Sequence, residues 1–436
     1  MESQIGALSM PKWKQWFRSF RALFARVPLL GWLVGALLAV ILEQLVGLPL
    51  ARILGMFKNP ALFGFSLALQ EPALIPSALV YVLLIYVLPI GLVARLGATL
   101  ANKAAAWLLR FPLVVSVIVH LSLLYVILSL WSGASAYRDL VSKLTLIAVM
   151  VTLSLNVVNG YMGEFSCSHP GFMALGAYTA SVFTILLFVQ DNKFGPPLLP
   201  PALGPFLFPL ALLLAGAVSA GGALLVAIPS FKTRGDYLAI ISLAFMFIVK
   251  SLFENLEVVG GARGLGNHPD WANLLTVFVW TVLCVWTINN FVRSTLGKAL
   301  NAVRDGEMAA DAMTVDTRRT KMVAFLFAAF WAGVAGGLLG HVLKYVNPGT
   351  FDLKKLAEVL AMVYWGGLNS VVGSIFGAVS YNLLSEALRP LALWKWMIIP
   401  IMLILVMIFR PTGLIAFREF DIQHLLEPRW ESEREV

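Results

Sequence analysis

A chain of 436 residues that is 59% hydrophobic and only 13% charged cannot hide its apolar surface in water, where a soluble domain carries about 25% charged residues. Its mean hydropathy of +0.84 and formal net charge of +9 fit a membrane protein whose basic residues gather on one face, and no nucleic acid partner is expected. Cys167 and Cys284 are its two cysteines, too few for a disulfide framework or a zinc site, and read as small buried hydrophobes.

In chain order, residues 1–27 carry Lys12, Lys14, Arg18, Arg21 and Arg26 against a single acid, Glu2. The apolar run that follows is long and not closed by a small-residue cleavage site, so it reads as a retained helix behind a cytoplasmic tail rather than a secretory leader. Hydropathy predicts about eleven crossings, at 28–46, 74–96, 111–131, 140–158, 171–189, 206–229, 236–253, 273–292, 322–340, 371–388 and 392–409. The expected fold is all-α, a polytopic transmembrane helical bundle with broken or re-entrant segments. Segment 358–366 is a short extra piece; crossing as a broken helix, it would leave both chain ends in the cytoplasm. Predicted inside segments hold the tail cations, then Arg95, Lys103 and Arg110, then Lys232 and Arg234, then six basic residues in 293–321. Predicted outside loops hold fewer each: Arg52 and Lys58, Arg138, Lys193, Arg263, then Lys344, Lys354 and Lys355.

Polar breaks in this apolar background are informative, because lipid offers backbone groups no partners. The stretch 156–171 (NVVNGYMGEFSCSHPG) has no Lys or Arg and several helix breakers, and is expected to be re-entrant or unwound. Two readings stand for it. One is a kink whose polar groups satisfy one another; the other is a solute path lined by Gly160, Gly163, Glu164, Ser166, Ser168 and His169. His169 alone, with no partner in sight, reads as structural. Tyr161-Met-Gly163 is echoed by Tyr364-Trp-Gly366, either as an internal repeat or as a chance match between glycine-rich membrane segments; Gly366 and Gly367 are counted on the candidate path beside the first break. The proline-rich 195–205 is expected to be an irregular connector.

The glycines of 258–268 follow no strand, and no P-loop pattern occurs in the chain; no nucleotide, cofactor or metal is expected. The loop 293–321 mixes alanine with both charges and predicts short helices. Ala299, Ala302, Val303, Met308, Ala309, Ala312 and Met313 supply an apolar face, with Arg304, Asp305, Glu307 and Asp311 hydrated. Such a helix packs on its own protein or docks in a partner's groove. An ion-coupled secondary transporter would use intramembrane carboxylates; Glu43, Glu254, Glu358 and Glu386 lie near predicted helix ends, where hydration accounts for them. No His-Glu-x-x-His or Gly-x-Ser-x-Gly pattern points to an enzyme.

From about residue 140 the sequence resembles the LivM-type permeases of branched-chain amino acid ABC importers. The resemblance rests on LNVVNGYMGEFS at 155–166, GFMALGAY at 171–178, RGDYLAI at 234–240 and GGARGL at 260–265. It continues through GKALNAVRD at 297–305, AADAM at 309–313, WGGLNSVVGS at 365–374 and RPTGL at 410–414. It implies a permease core over 136–410, preceded by a basic tail (1–27) and extra transmembrane helices (28–135) and followed by a cytoplasmic tail (411–436). It further implies a bacterial cytoplasmic (inner) membrane location, a second LivH-like permease subunit, two ABC ATP-binding subunits and an extracytoplasmic solute-binding protein. By the same resemblance, 297–313 is the ATPase coupling helix, with Gly297, Ala299, Arg304, Asp305, Glu307, Ala309 and Ala310. Solutes implied are branched-chain amino acids, with urea or short amides as the alternative. The chain departs from the family at Thr314, where glycine is usual, at Glu164, where glutamine is common, at Cys167-Ser168, which stand for Leu-Gly before the histidine, and in its extra N-terminal residues 1–110.

Overall fold

The computed structural model describes residues 24–56, 72–191, 194–232, 237–410, 412–417 and 420–429. Lys12, Lys14, Arg18, Arg21, Lys58, Lys193, Arg234 and Pro411, which entered the charge and motif readings, lie outside the described residues, as do most of the N-terminal tail and 430–436. Among the described residues the fold is helical without strands, with only two isolated bridges, Asp191–Gly195 and Leu265–Val346. The chain divides into two compact units, 1–138 with 421–436, and 139–420.

The first unit contains α1 (Leu29–Ile53), α2 (Ile75–Leu96, with a π-helical turn at Leu83–Val87), α3 (Ala98–Leu108) and α4 (Leu113–Ser132). Each is a run of Leu, Val, Ile and Ala long enough to satisfy its own backbone in lipid, apart from the shorter α3. Helices α1 and α2 approach closely because Gly35 faces the backbone of Ile90, the small-residue contact membrane helices favour. Ala39, Tyr81, Ile85 and Tyr86 form the core of the contact. Glu43, expected to be hydrated, is instead buried at 2% exposure. Arg138 grips it through two bonds of 2.7 and 3.0 Å, and the Tyr86 hydroxyl donates to it at 2.5 Å. A short helix, Ile422–Leu426, lies just before Arg429, whose N–H donates to Asn102 Oδ1 at 2.8 Å.

The second unit is built from α5 (Ala136–Met162, whose first residues belong to the first unit), α6 (His169–Phe188), α7 (Gly204–Ser230), α8 (Tyr237–Asn255) and α9 (Leu274–Arg293). Two short helices, α10 (Thr295–Asp305) and α11 (Glu307–Ala312), lead into α12 (Thr317–Leu343). Then come α13 (Leu353–Gly366), α14 (Val371–Ala387) and α15 (Lys395–Phe409). At the centre, α6, α7 and α12 meet through glycine: Gly176 on the Gly333 carbonyl, Gly336 on Met173, and Gly333 on Ser219. A methyl group at any of these would push two backbones apart, which explains an apolar core made of Ala and Gly as much as of Leu.

Nine helices are long and apolar enough to cross a membrane among the described residues. The last two predicted crossings appear as helices of 17 and 15 residues. The predicted connector 195–205 is irregular up to a 3-10 turn at Pro201–Leu203. Helix α12 sets the length of the unit: Lys321 near its start and His341 near its end are about 30 Å apart along the axis.

Candidate functional site

The first break is shorter than its sequence suggested. Helix α5 runs on beyond Asn156 as a π-helical turn, Val157–Met162, and only 163–168 is unwound before α6 begins at His169. The chain leaves the helix at Gly163, whose φ of +76° is left-handed and whose missing side chain leaves room for the Arg304 stem. No L-residue meets both conditions cheaply.

Within the break, Ser166, Ser168 and His169 are fully buried. The Ser166 N–H donates to Asn159 Oδ1 at 3.2 Å, the two serine hydroxyls are 2.9 Å apart, and the Cys167 N–H donates to Ser242 Oγ at 2.9 Å. The His169 ring stands edge-on to Phe172, with centroids 5.9 Å apart. In this conformation the serines satisfy one another and the backbone, as a structural kink requires.

The second break separates α13 from α14. Gly366 is buried against Gly373 and Gly377, and Gly367 has φ +133°; the Ser370 hydroxyl caps α14 by accepting from the Gly373 N–H at 3.0 Å. Asn156, on α5 ahead of the first break, ties that helix to the second break. Its Nδ2 donates to Ser374 Oγ at 2.6 Å and to the Ser370 carbonyl at 3.1 Å, and its Oδ1 accepts from the Asn369 N–H at 3.2 Å. Gly160 lies under the same contact, with no space for a Cβ between Asn156 and Asn369. The residues just before the first echoed segment therefore touch the chain just after the second. The chain after α15 closes over them, the Ile415 N–H donating to the Gly366 carbonyl at 2.8 Å.

Helices α10 and α11 pack on the first break. Ser294 caps α10, accepting from the Gly297 N–H at 3.4 Å, and Gly297 is buried against the backbone of Val292. Leu300, Val303 and Ala310 point inward, and Ala299 is half-buried. Ala309 is exposed, and Met308 and Met313 are each 76% exposed. Arg304, expected to be hydrated, is half-buried: Nη1 donates to the Gly160 carbonyl at 3.4 Å, and Nε donates to exposed Asp305 at 2.9 Å. The stem lies in the space that Gly163 leaves.

Glu164 and Glu307 share one cation. Lys321, its side chain only 8% exposed, reaches Glu164 at 2.7 Å and Glu307 at 2.9 Å. This answers the cost of an acid at membrane depth. It also ties the first break, α11 and the start of α12 into one ion triad. Lys321 and Asn156 are the residues of this candidate site that sequence reasoning did not single out. Lys321 stands at the head of an apolar run like any boundary lysine, and its partner Glu164 is 157 positions away. The four carboxylates weighed as ion sites all have basic neighbours: Glu43 pairs with Arg138, Glu254 with Lys250 at 3.9 Å, Glu358 with Lys355 at 3.1 Å and Glu386 with Arg389 at 3.4 Å.

The departure at Thr314 has a structural consequence. Thr314 has φ +66° and follows α11 with its N–H donating to the Asp311 carbonyl while the Val315 N–H donates to Ala310. That is a Schellman exit, whose left-handed residue is ordinarily glycine and suits a β-branched one poorly. Thr314→Gly is expected to stabilise the folded protein by about 1 kcal/mol. A rise in the thermal midpoint of the purified chain in detergent checks it, and an unchanged or lower midpoint counts against the strain.

At the other end of α12, His341 Nε2 lies 3.0 Å from Thr184 Oγ1 and His268 Nε2 lies 2.6 Å from Ser181 Oγ. Burial pulls the His268 pKa down to about 4, so this loop contact is neutral near pH 7.

The family profile described as branched-chain amino acid transport system, permease component, matches residues 137–408. The high-affinity branched-chain amino acid transport system permease protein LivM of Salmonella typhimurium is 31% identical over 310 residues, covering 63% of this chain and 69% of the relative. LivM of Escherichia coli is 30% identical over the same shares, and the permease protein LivH of Escherichia coli is 28% identical over 177 residues, 39% of this chain and 56% of the relative. No solved structure matches the chain. With the profile spanning the whole of the second unit up to α15, the chain belongs to the permease component family of branched-chain amino acid transport systems.

Proposed function

We propose that the chain is the transmembrane permease subunit of an ABC importer for branched-chain amino acids in the bacterial cytoplasmic membrane. It forms the solute path with a second, LivH-like permease, is driven by two separate ATP-binding subunits, and receives solute from an extracytoplasmic binding protein. The observation that carries this reading is the seating of α10 and α11 on the first break. A partner that moves these helices pulls on Gly160 through Arg304 and on Glu164 through Lys321. Gly160, Gly163, Glu164, Ser166, Ser168, His169, Gly366 and Gly367 belong to the region that switches the path. The end bearing α10 and α11 faces the cytoplasm, in keeping with Lys232, Arg293, Lys298, Arg318 and Arg319 gathered there. On the charge reading, 1–27 and 411–436 are assigned as cytoplasmic tails, and 28–135 as transmembrane helices additional to the permease core of 136–410.

On this reading Met308 and Met313 are the apolar contacts offered to the ATPase. The test is co-expression with the candidate second permease and ATPases, comparing the native chain with Met308→Glu/Met313→Glu. Burying two carboxylates at an apolar contact is costly, so co-purified ATPase is expected to fall at least tenfold, with the chain still in the membrane. Native complex in liposomes is expected to hydrolyse ATP in response to the loaded binding protein. Uptake that needs no ATPase and follows an imposed ion gradient would overturn the importer reading.

A further inference from the structure

A cavity of about 400 Å³ lies beside both breaks, bordered by Tyr161 from the π-helical turn before the first and Asn369 from the second. Its remaining wall comes from the end of α9 and from α10, which contribute Asn289, Arg293, Lys298 and Asn301. That volume is within the range of small-molecule sites, roughly 300–1,000 Å³. Its chemistry is unusually divided. The side-chain amide oxygens of Asn289, Asn301 and Asn369 are buried without a hydrogen-bond partner among the described residues, and Asn289 is only 3% exposed. A buried amide left unpaired costs about 1–3 kcal/mol, so three on residues that line one cavity favour turning their amide oxygens toward a ligand that donates hydrogen bonds. Arg293, which also donates to the Phe420 carbonyl at 3.5 Å, and Lys298 supply positive charge on the same wall. Val292, Phe417 and Phe420 give it an apolar side.

From this juxtaposition we propose that the cavity is a binding site for a free α-amino acid arriving from the side of α10 and α11. Its ammonium group meets the asparagine oxygens, its carboxylate meets Lys298 and Arg293, and its aliphatic side chain lies on the apolar wall. The proposal rests on the importer reading and deepens it. Lys298 and Asn301 sit on the helix proposed to couple to the ATPase, Tyr161 on the turn leading into the first break and Asn369 on the second. An amino acid held between them pins the coupling helix to the breaks, so accumulated product slows its own import.

The test uses the full complex in proteoliposomes with the ATPase face outward and loaded binding protein in the lumen. L-leucine in the outer medium is expected to lower binding-protein-stimulated ATP hydrolysis at least fivefold. 4-Methylpentanoate, which is leucine without the ammonium group, and isoamylamine, which is leucine without the carboxylate, are expected to leave it unchanged. In Asn289→Leu and in Lys298→Met the leucine concentration for half-inhibition is expected to rise at least tenfold, and in Lys298→Arg to stay within threefold of native. The ratio of rates with and without leucine cancels any loss of assembled complex in a variant. Stimulated hydrolysis that ignores outer leucine overturns this site and leaves the importer reading intact. Inhibition unchanged in both variants, or matched by 4-methylpentanoate, overturns it as well. Absence of stimulated hydrolysis in the native complex overturns the importer reading on which the site rests.

Discussion

Lys321→Met is expected to leave the complex assembled but uncoupled, with uptake reduced at least tenfold and ATP hydrolysis no longer responsive to the loaded binding protein. The reason is the sharing of one ammonium by two acids. Without it, Glu164 and Glu307, each within 3 Å of the lysine nitrogen, face each other as like charges. Two carboxylates about 6 Å apart repel by about 3 kcal/mol at an effective dielectric of about 20. Glu307 is 42% exposed, so solvent screens part of this, but the sign is fixed and the surface that held α11 against the break now pushes it away.

Removing either acid has a smaller consequence, because one carboxylate and the lysine remain a neutral pair. Glu164→Gln and Glu307→Gln are each expected to stay within about threefold of native uptake, and Lys321→Arg closer still. The ordering separates a link from a prop: a residue that only supports the fold lowers yield and thermal midpoint without changing the number of ATP hydrolysed per solute moved. That ratio in liposomes is therefore the deciding measurement. Native stoichiometry in Lys321→Met would remove the triad from the coupling path and leave the Arg304 contact with Gly160 as the remaining polar tie between α10 and the break.

Much of this architecture is legible in the sequence because the signals are local. Apolar runs become helices since a spanning segment must satisfy its own backbone, and the interruptions at 163–168 and 366–370 stand out because glycine and small polar residues break the apolar run there. The π-helical turn at Val157–Met162 is not legible, since Val-Val-Asn-Gly-Tyr-Met differs little from a sequence that unwinds. For α10 and α11, composition identified short amphipathic helices but not which side meets the protein. Leu300, absent from the predicted apolar face, is fully buried, whereas Met308 and Met313 from that face are exposed. Polar pairings are the least legible of all. Hydropathy can flag Glu43 and Glu164 as costly, but not that Arg138 and Lys321, 95 and 157 positions away, are brought to them by packing.

The Glu43–Arg138 pair gives the largest expected effect on stability. Glu43 and Arg138 side chains are 3% and 4% exposed, joined by two bonds, with Tyr86 donating to the carboxylate and the Trp131 ring 5.0 Å from the guanidinium. Glu43→Ala leaves a buried guanidinium without its counter-charge, and Arg138→Met leaves a buried carboxylate held by the tyrosine; each is expected to cost about 3–5 kcal/mol. Tyr86→Phe removes one hydrogen bond to a charged group and is expected to cost about 1.5–3 kcal/mol. The combination Glu43→Leu/Arg138→Met removes both charges together and is expected to recover most of the loss, since an apolar pair of similar volume is often as stable as a buried ion pair. Thermal unfolding of the purified chain in detergent reads all four. Single variants that unfold at the native midpoint would mean that water reaches the pair. A double variant no better than the worse single one would mean that the lost packing, rather than the stranded charge, carries the cost.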